Sequence, residues 1–158
     1  MANSAYLGRH NQVAKIIHLE LAQKYNLIAN PLPYYKYNPE AVLENATYIL
    51  YWDRPVQTDR TVDYNRPDLL LIDKVNKKAI IIEVAVPLCH NLETTERHKI
   101  TKYENLAYDL RHTWQLNEVT TVPIVMSSTG VATTRPRLNI RKLDLLAYII
   151  SSTVQKAI

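Results

Sequence analysis

At 158 residues with 47% apolar side chains, the chain is most simply one domain, 1–158, with material for a real core. Two glycines exclude a glycine-rich phosphate loop, and a single cysteine, Cys89, excludes a disulfide framework or a cysteine-based zinc site; five scattered histidines show no zinc-ligand spacing. A net charge of +4 favours an anionic partner, and the lack of a membrane-length apolar run or signal peptide leads to the expectation of an intracellular domain with no membrane partner.

In chain order, Ser4 to Tyr25 has the period of an amphipathic helix, with Val13, Ile16, Ile17 and Leu21 on one stripe. Glu20 falls within that stripe, where a carboxylate is costly unless it is paired or metal-bound. It either pairs with Lys24 one turn later or supplies a third acidic group to a site elsewhere. His10 and His18 lie on the flank and are expected as hydrogen-bonded surface groups. Asn30 to Asn38 is a proline- and tyrosine-rich loop. Its aromatics around Lys36 suit base stacking, but packing over a core edge is the favoured reading. Strands are expected over Ala46–Trp52 and, shorter, over Pro55–Thr58; a polar run with Asp59, Arg60, Asp63 and Arg66 follows.

The stretch from Asn65 to Pro87 organises the rest. Leu69–Asp73 and Ala79–Val86 are branched apolar runs of strand length around the polar turn Lys74–Lys78, the pattern of a β-hairpin. Antiparallel pairing brings Asp68, at the start of the first run, beside Glu83, near the end of the second. Two carboxylates so placed repel or share a hard cation such as Mg²⁺. Turn chemistry at Asp68 and a solvated charge at Glu83 is the rival reading. A Pro-Asp, a hairpin and then Glu-x-x form the skeleton of a PD-(D/E)xK nuclease site, in which Ala85 occupies the lysine position.

Beyond a turn at Cys89–Asn91, Leu92 to Trp114 is expected as one long helix with the stripe Leu92, Tyr103, Leu106, Leu110 and Trp114. Lys99 sits at the centre of this stripe and Lys102 about 60° to one side. Both can reach the carboxylates, the alternative being stems that cover the core with ammonium groups in water. Glu118–Ser127 is a further strand, and its Pro123 suggests an edge. After a turn at Ser127–Gly130, Arg135, Arg137, Arg141 and Lys142 form a candidate phosphate-contacting cluster. Leu143–Ile158 is a helix apolar on more than one face, suited to core packing, dimerisation or a neighbouring domain.

Taken in order, several of these pieces resemble the restriction-like endonuclease domain of non-LTR retrotransposon reverse-transcriptase polyproteins. They are Tyr6 to Asn11 with Val13 to His18, Gln57 to Arg60, Asn65 to Asp68, Glu83 to Pro87, Lys99-x-x-Lys102-Tyr103 and Thr121 to Pro123. The resemblance implies an α/β, restriction-endonuclease-like fold with a central mixed sheet flanked by helices. It also implies Mg²⁺- or Mn²⁺-dependent nicking of target DNA to prime reverse transcription, in the nucleus. Asp68 and Glu83 carry over as catalytic metal ligands, with the Val84 carbonyl and, less firmly, Glu20 beside them. Lys99 or Lys102 replaces the lysine missing at Ala85; His10, Asn11, Asp59 and Tyr103 are support. Arg60, Arg66 and the Arg135–Lys142 cluster would grip the DNA backbone. A reverse transcriptase portion normally precedes such a domain, so the chain reads as an excised part of a larger polyprotein. The rivals are a catalytically degenerate DNA- or RNA-structure-binding module of the same fold and a dimeric branched-DNA resolvase.

Overall fold

The structure, a computed structural model, describes residues 2–30, 32–86 and 92–125, with side chains described for 8–30, 32–86 and 97–125. Its elements are α1 (Ala2–Lys24), β1 (Val42–Glu44), β2 (Tyr48–Trp52), β3 (Leu69–Asp73), β4 (Lys78–Ala85), α2 (Leu92–Lys102), α3 (Glu104–Thr113) and β5 (Glu118–Val125). The five strands form one sheet in the order β1-β2-β3-β4-β5. It is mixed: β1 to β4 are successively antiparallel, whereas β5 runs parallel to β4. A parallel neighbour needs a crossover, and α2 with α3 supplies it.

Strand alternation builds two cores. On one face, Leu43, Leu50, Leu69, Leu71, Ile82 and Val84 meet the α1 stripe of Val13, Ile16, Ile17 and Leu21. On the other, Ile49, Leu70, Ile72, Ala79 and Ile81 meet Tyr103, Leu106 and Leu110. The chain is therefore an α/β protein whose sheet has helices on both sides. Truncating a fully buried linchpin such as Ile82 to Ala would cost about 2–5 kcal/mol.

Local chemistry fixes the ends of these elements. Helix α1 stops where Asn26 takes a left-handed φ of 57°, and the N–H groups of Asn26 and Leu27 close back on the carbonyls of Gln23 and Ala22. The β3–β4 turn is tied by Asp73 Oδ1, which accepts from the backbone N–H groups of Val75 and Asn76 at 3.1 and 3.0 Å.

Several expectations are corrected. Pro55–Thr58 is not a strand but a loop, held where the Val56 N–H donates to the Asn65 carbonyl. Strand β1 was unanticipated, since three residues give periodicity too little length to act on. The run expected at Ala46 begins at Tyr48, because Asn45 Oδ1 caps the N–H groups of Thr47 and Tyr48 into a turn. The long helix is two: at Tyr103 the backbone leaves helical geometry (φ −103°, ψ 10°) and its N–H turns to the carbonyl of Ile100. His18 is no surface group; it is buried against Tyr37 and Trp52. Within the tyrosine loop, Tyr37 is buried and Tyr34 packs on the core, while Tyr35 is exposed. Cys89–Asn91 and everything expected beyond Val125 lie outside the described residues.

Candidate carboxylate site

Hairpin register creates the site. Leu69 pairs with Ile82, which sets Asp68 opposite Glu83 one step beyond the ladder. The two are locked by their own backbones: the Asp68 N–H donates to Glu83 Oε1 at 3.2 Å, and the Val84 N–H donates to Asp68 Oδ2 at 2.8 Å. Glu83 is no solvated strand-end charge. It lies within β4, flanked by β3 and by Pro123 of β5, and is 3% exposed.

Three further side chains converge from α1, α2 and the break between α2 and α3. His10 of α1 brings Nε2 to 2.9 Å from Asp68 Oδ2, and its Nδ1 meets Asn11 Oδ1 at 3.2 Å. From α2, Lys99 Nζ donates to Glu83 Oε2 at 3.2 Å. Tyr103, one turn later, donates its hydroxyl to Glu83 Oε1 at 2.7 Å. The same hydroxyl is 3.3 Å from the Arg66 carbonyl.

These contacts divide the two carboxyls electrostatically. Burial pushes Asp68 up, but its hydrogen bond and charge interaction with His10 and the Val84 N–H outweigh that and leave it below the usual carboxylate range. Burial, and then the charge of Asp68, hold Glu83 above its usual value against the pull of Lys99 and Tyr103. Tyr103 is pushed up by burial and by donating to Glu83, so its hydroxyl stays a donor.

The remaining expected residues fall into distinct places. Lys102 lies over two rings, 5.0 Å from the Tyr64 centroid and 5.2 Å from that of Tyr103, while Lys99 takes the carboxylate. Glu20 is half-buried and raised by desolvation alone, with no contribution from the Asp68–Glu83 pair. Arg60 binds Asp109 through Nε at 3.0 Å and Arg66 binds Asp53 at 2.9 Å, both with exposed guanidinium groups. Asp59 contributes a backbone N–H to Thr113 Oγ1. Arg135, Arg137, Arg141 and Lys142 lie outside the described residues. What the sequence did not single out is a cavity of about 460 Å³ that includes Tyr64, His98, Lys99 and Lys102 in its wall. Its available signal was an aromatic, Tyr64, in a largely polar run.

Among the described residues, no three or more His, Cys, Asp and Glu side chains form a group placed to hold a metal. Two carboxylates nonetheless fit a small hard cation, because Mg²⁺ takes one or two protein carboxylates and completes its shell with water and phosphate oxygens. Matched against protein-family models and curated proteins, the chain finds no counterpart in either.

Proposed function

We propose that the chain is a divalent-metal-dependent endodeoxyribonuclease of restriction-endonuclease-like fold, the DNA-nicking domain of a non-LTR retrotransposon polyprotein acting in the nucleus. The observation that carries this reading is the juxtaposition of half-buried Asp68 and buried Glu83, with a helix lysine, Lys99, on the second of them. A mixed sheet with helices on both faces supports it.

Asp68 and Glu83 would hold Mg²⁺ or Mn²⁺, with the Val84 carbonyl as a third oxygen. When bound, the cation supplies a water of lowered pKa and charge neutralisation at the scissile phosphate. His10 fixes the Asp68 carboxylate from the α1 side. Tyr103 fixes Glu83 by donating its hydroxyl to Oε1. Lys99, 3.2 Å from Glu83 Oε2, is placed to exchange that contact for a phosphoryl oxygen as charge develops there. Lys102 serves the phosphate backbone rather than the reacting atoms.

The experiment is nicking of supercoiled plasmid in Mg²⁺, Mn²⁺ or EDTA by the wild type, Asp68→Ala, Glu83→Gln and Lys99→Met. Metal-dependent nicking lost in the two acid variants is expected. One observation favours a second reading, a binding module without catalysis: both Glu83 oxygens already have protein partners. Equal DNA binding by all four proteins, with no cutting in any metal, would establish that module instead.

A further inference from the structure

The cavity beside the carboxylate pair contains Asp63, Tyr64, His98, Lys99, Lys102 and Asn105 in its wall and encloses about 460 Å³. That volume is at the lower end for ligand pockets and accepts one nucleotide rather than a paired segment. Tyr64 is 54% exposed, and its ring belongs to neither core. Its placement is nevertheless determined: Lys102 Nζ lies 5.0 Å from its centroid and 5.2 Å from that of Tyr103, bridging the two rings. Tyr103 in turn touches Glu83 at 2.7 Å, and Lys99 is both a wall of the cavity and the 3.2 Å partner of Glu83. An occupant is therefore one side chain away from the carboxylates. An aromatic face with adjacent lysines is the chemistry that holds an unpaired base and its phosphate. Asp63, an acceptor, and Asn105, both donor and acceptor, suit the edge of such a base.

From this we infer that Tyr64 is a stacking platform for one unpaired nucleotide next to the phosphate that is cut, so the substrate class is DNA with a single-stranded or extruded base at the site. The position of the cut phosphate rests on the nuclease reading; the platform rests on the cavity. Lys99 and Lys102 flank the nucleotide's phosphate, and Tyr64 recognises any base through its π-face.

The test is fluorescence anisotropy in EDTA, where no cutting occurs, with a forked duplex carrying an abasic site moved stepwise along its single-stranded arm. Wild-type protein is expected to lose about ten-fold in affinity at one position. That penalty falls to about one-fold in Tyr64→Ala and is kept in Tyr64→Phe, with circular dichroism showing both variants folded. Sensitivity at no position, or a penalty that persists in Tyr64→Ala, overturns the platform. Plasmid nicking in Mg²⁺ by the same samples separates the two proposals. A Tyr64-dependent penalty without nicking supports the platform and sinks the nuclease, whereas nicking without the penalty sinks the platform alone.

Discussion

His18 makes stability depend on pH in a direction and amount that can be worked out in advance. The ring is 0% exposed, with Nδ1 2.7 Å from the Tyr37 hydroxyl and the Trp52 ring edge-on at 5.4 Å. Nε2 has no hydrogen-bond partner, so protonating both nitrogens buries an unpaired charge. Burial accordingly lowers the His18 pKa from 6.5 to about 4. Because the folded pKa lies below the unfolded one, the unfolded chain binds the extra proton and stability falls as pH drops from about 6.5 towards 4. Each pKa unit is worth about 1.4 kcal/mol, which gives a loss of about 2 kcal/mol by pH 5 and about 3 kcal/mol by pH 4. His18→Gln removes the titration but retains an acceptor for Tyr37, so its own cost is independent of pH. Urea unfolding of both proteins at pH 7, 6, 5 and 4 gives a difference curve in which other groups, including the oppositely shifted His10, cancel. A difference that stays flat from pH 7 to pH 4 would refute the reasoning and mean that this pocket admits water.

Three other outcomes are expected. Tyr103→Phe removes a hydroxyl from buried Glu83 and should lower unfolding free energy by about 1–3 kcal/mol in urea titrations at pH 8. Its cost should shrink as pH falls, because burial and the charge of Asp68 raise Glu83 towards its neutral form, which needs that donor less. Lys99→Met should reduce the nicking rate at least a hundred-fold and Lys102→Ala less than ten-fold, since only the first touches a carboxylate of the pair. Mg²⁺ at a hundred times its dissociation constant should stabilise the wild type by about 2.7 kcal/mol, and Glu83→Gln should abolish most of that shift in thermal unfolding.

The hairpin and its consequence were legible in the sequence because they depend on period and register, which residue order states directly. Once Leu69–Asp73 and Ala79–Val86 are antiparallel around a short turn, Asp68 must meet Glu83, and it does. Helix period likewise brought Lys99 within reach of the carboxylates, whereas Tyr103, read as part of the apolar stripe and as support, proves to share Glu83 with it. What was not legible depends on tertiary partners. His18 has the position of a flank residue on α1, and only the arrival of Tyr37 and Trp52 from elsewhere buries it. The break at Tyr103 carries no glycine or proline to announce it. Arg60 and Arg66 had the composition of a phosphate grip, yet each meets a carboxylate distant in sequence.

The same geometry explains why the lysine enters from a helix instead of from position 85. Ala85 follows Glu83 by two residues in β4, so its side chain shares Glu83's face of the sheet. It is 2% exposed at the last β4–β5 pair, opposite Val125. A lysine there would have to bury its stem and ammonium among strand residues, overpacking the position and desolvating a charge. Lys99 approaches along α2 with part of its stem in solvent and needs no such burial. Moving the lysine, by Lys99→Ala combined with Ala85→Lys, should therefore fail to restore nicking and should destabilise the chain relative to Lys99→Ala alone. Restored nicking with unchanged urea midpoint would show instead that the strand position has room, and that Ala85 reflects nothing about the packing of β4 against β5.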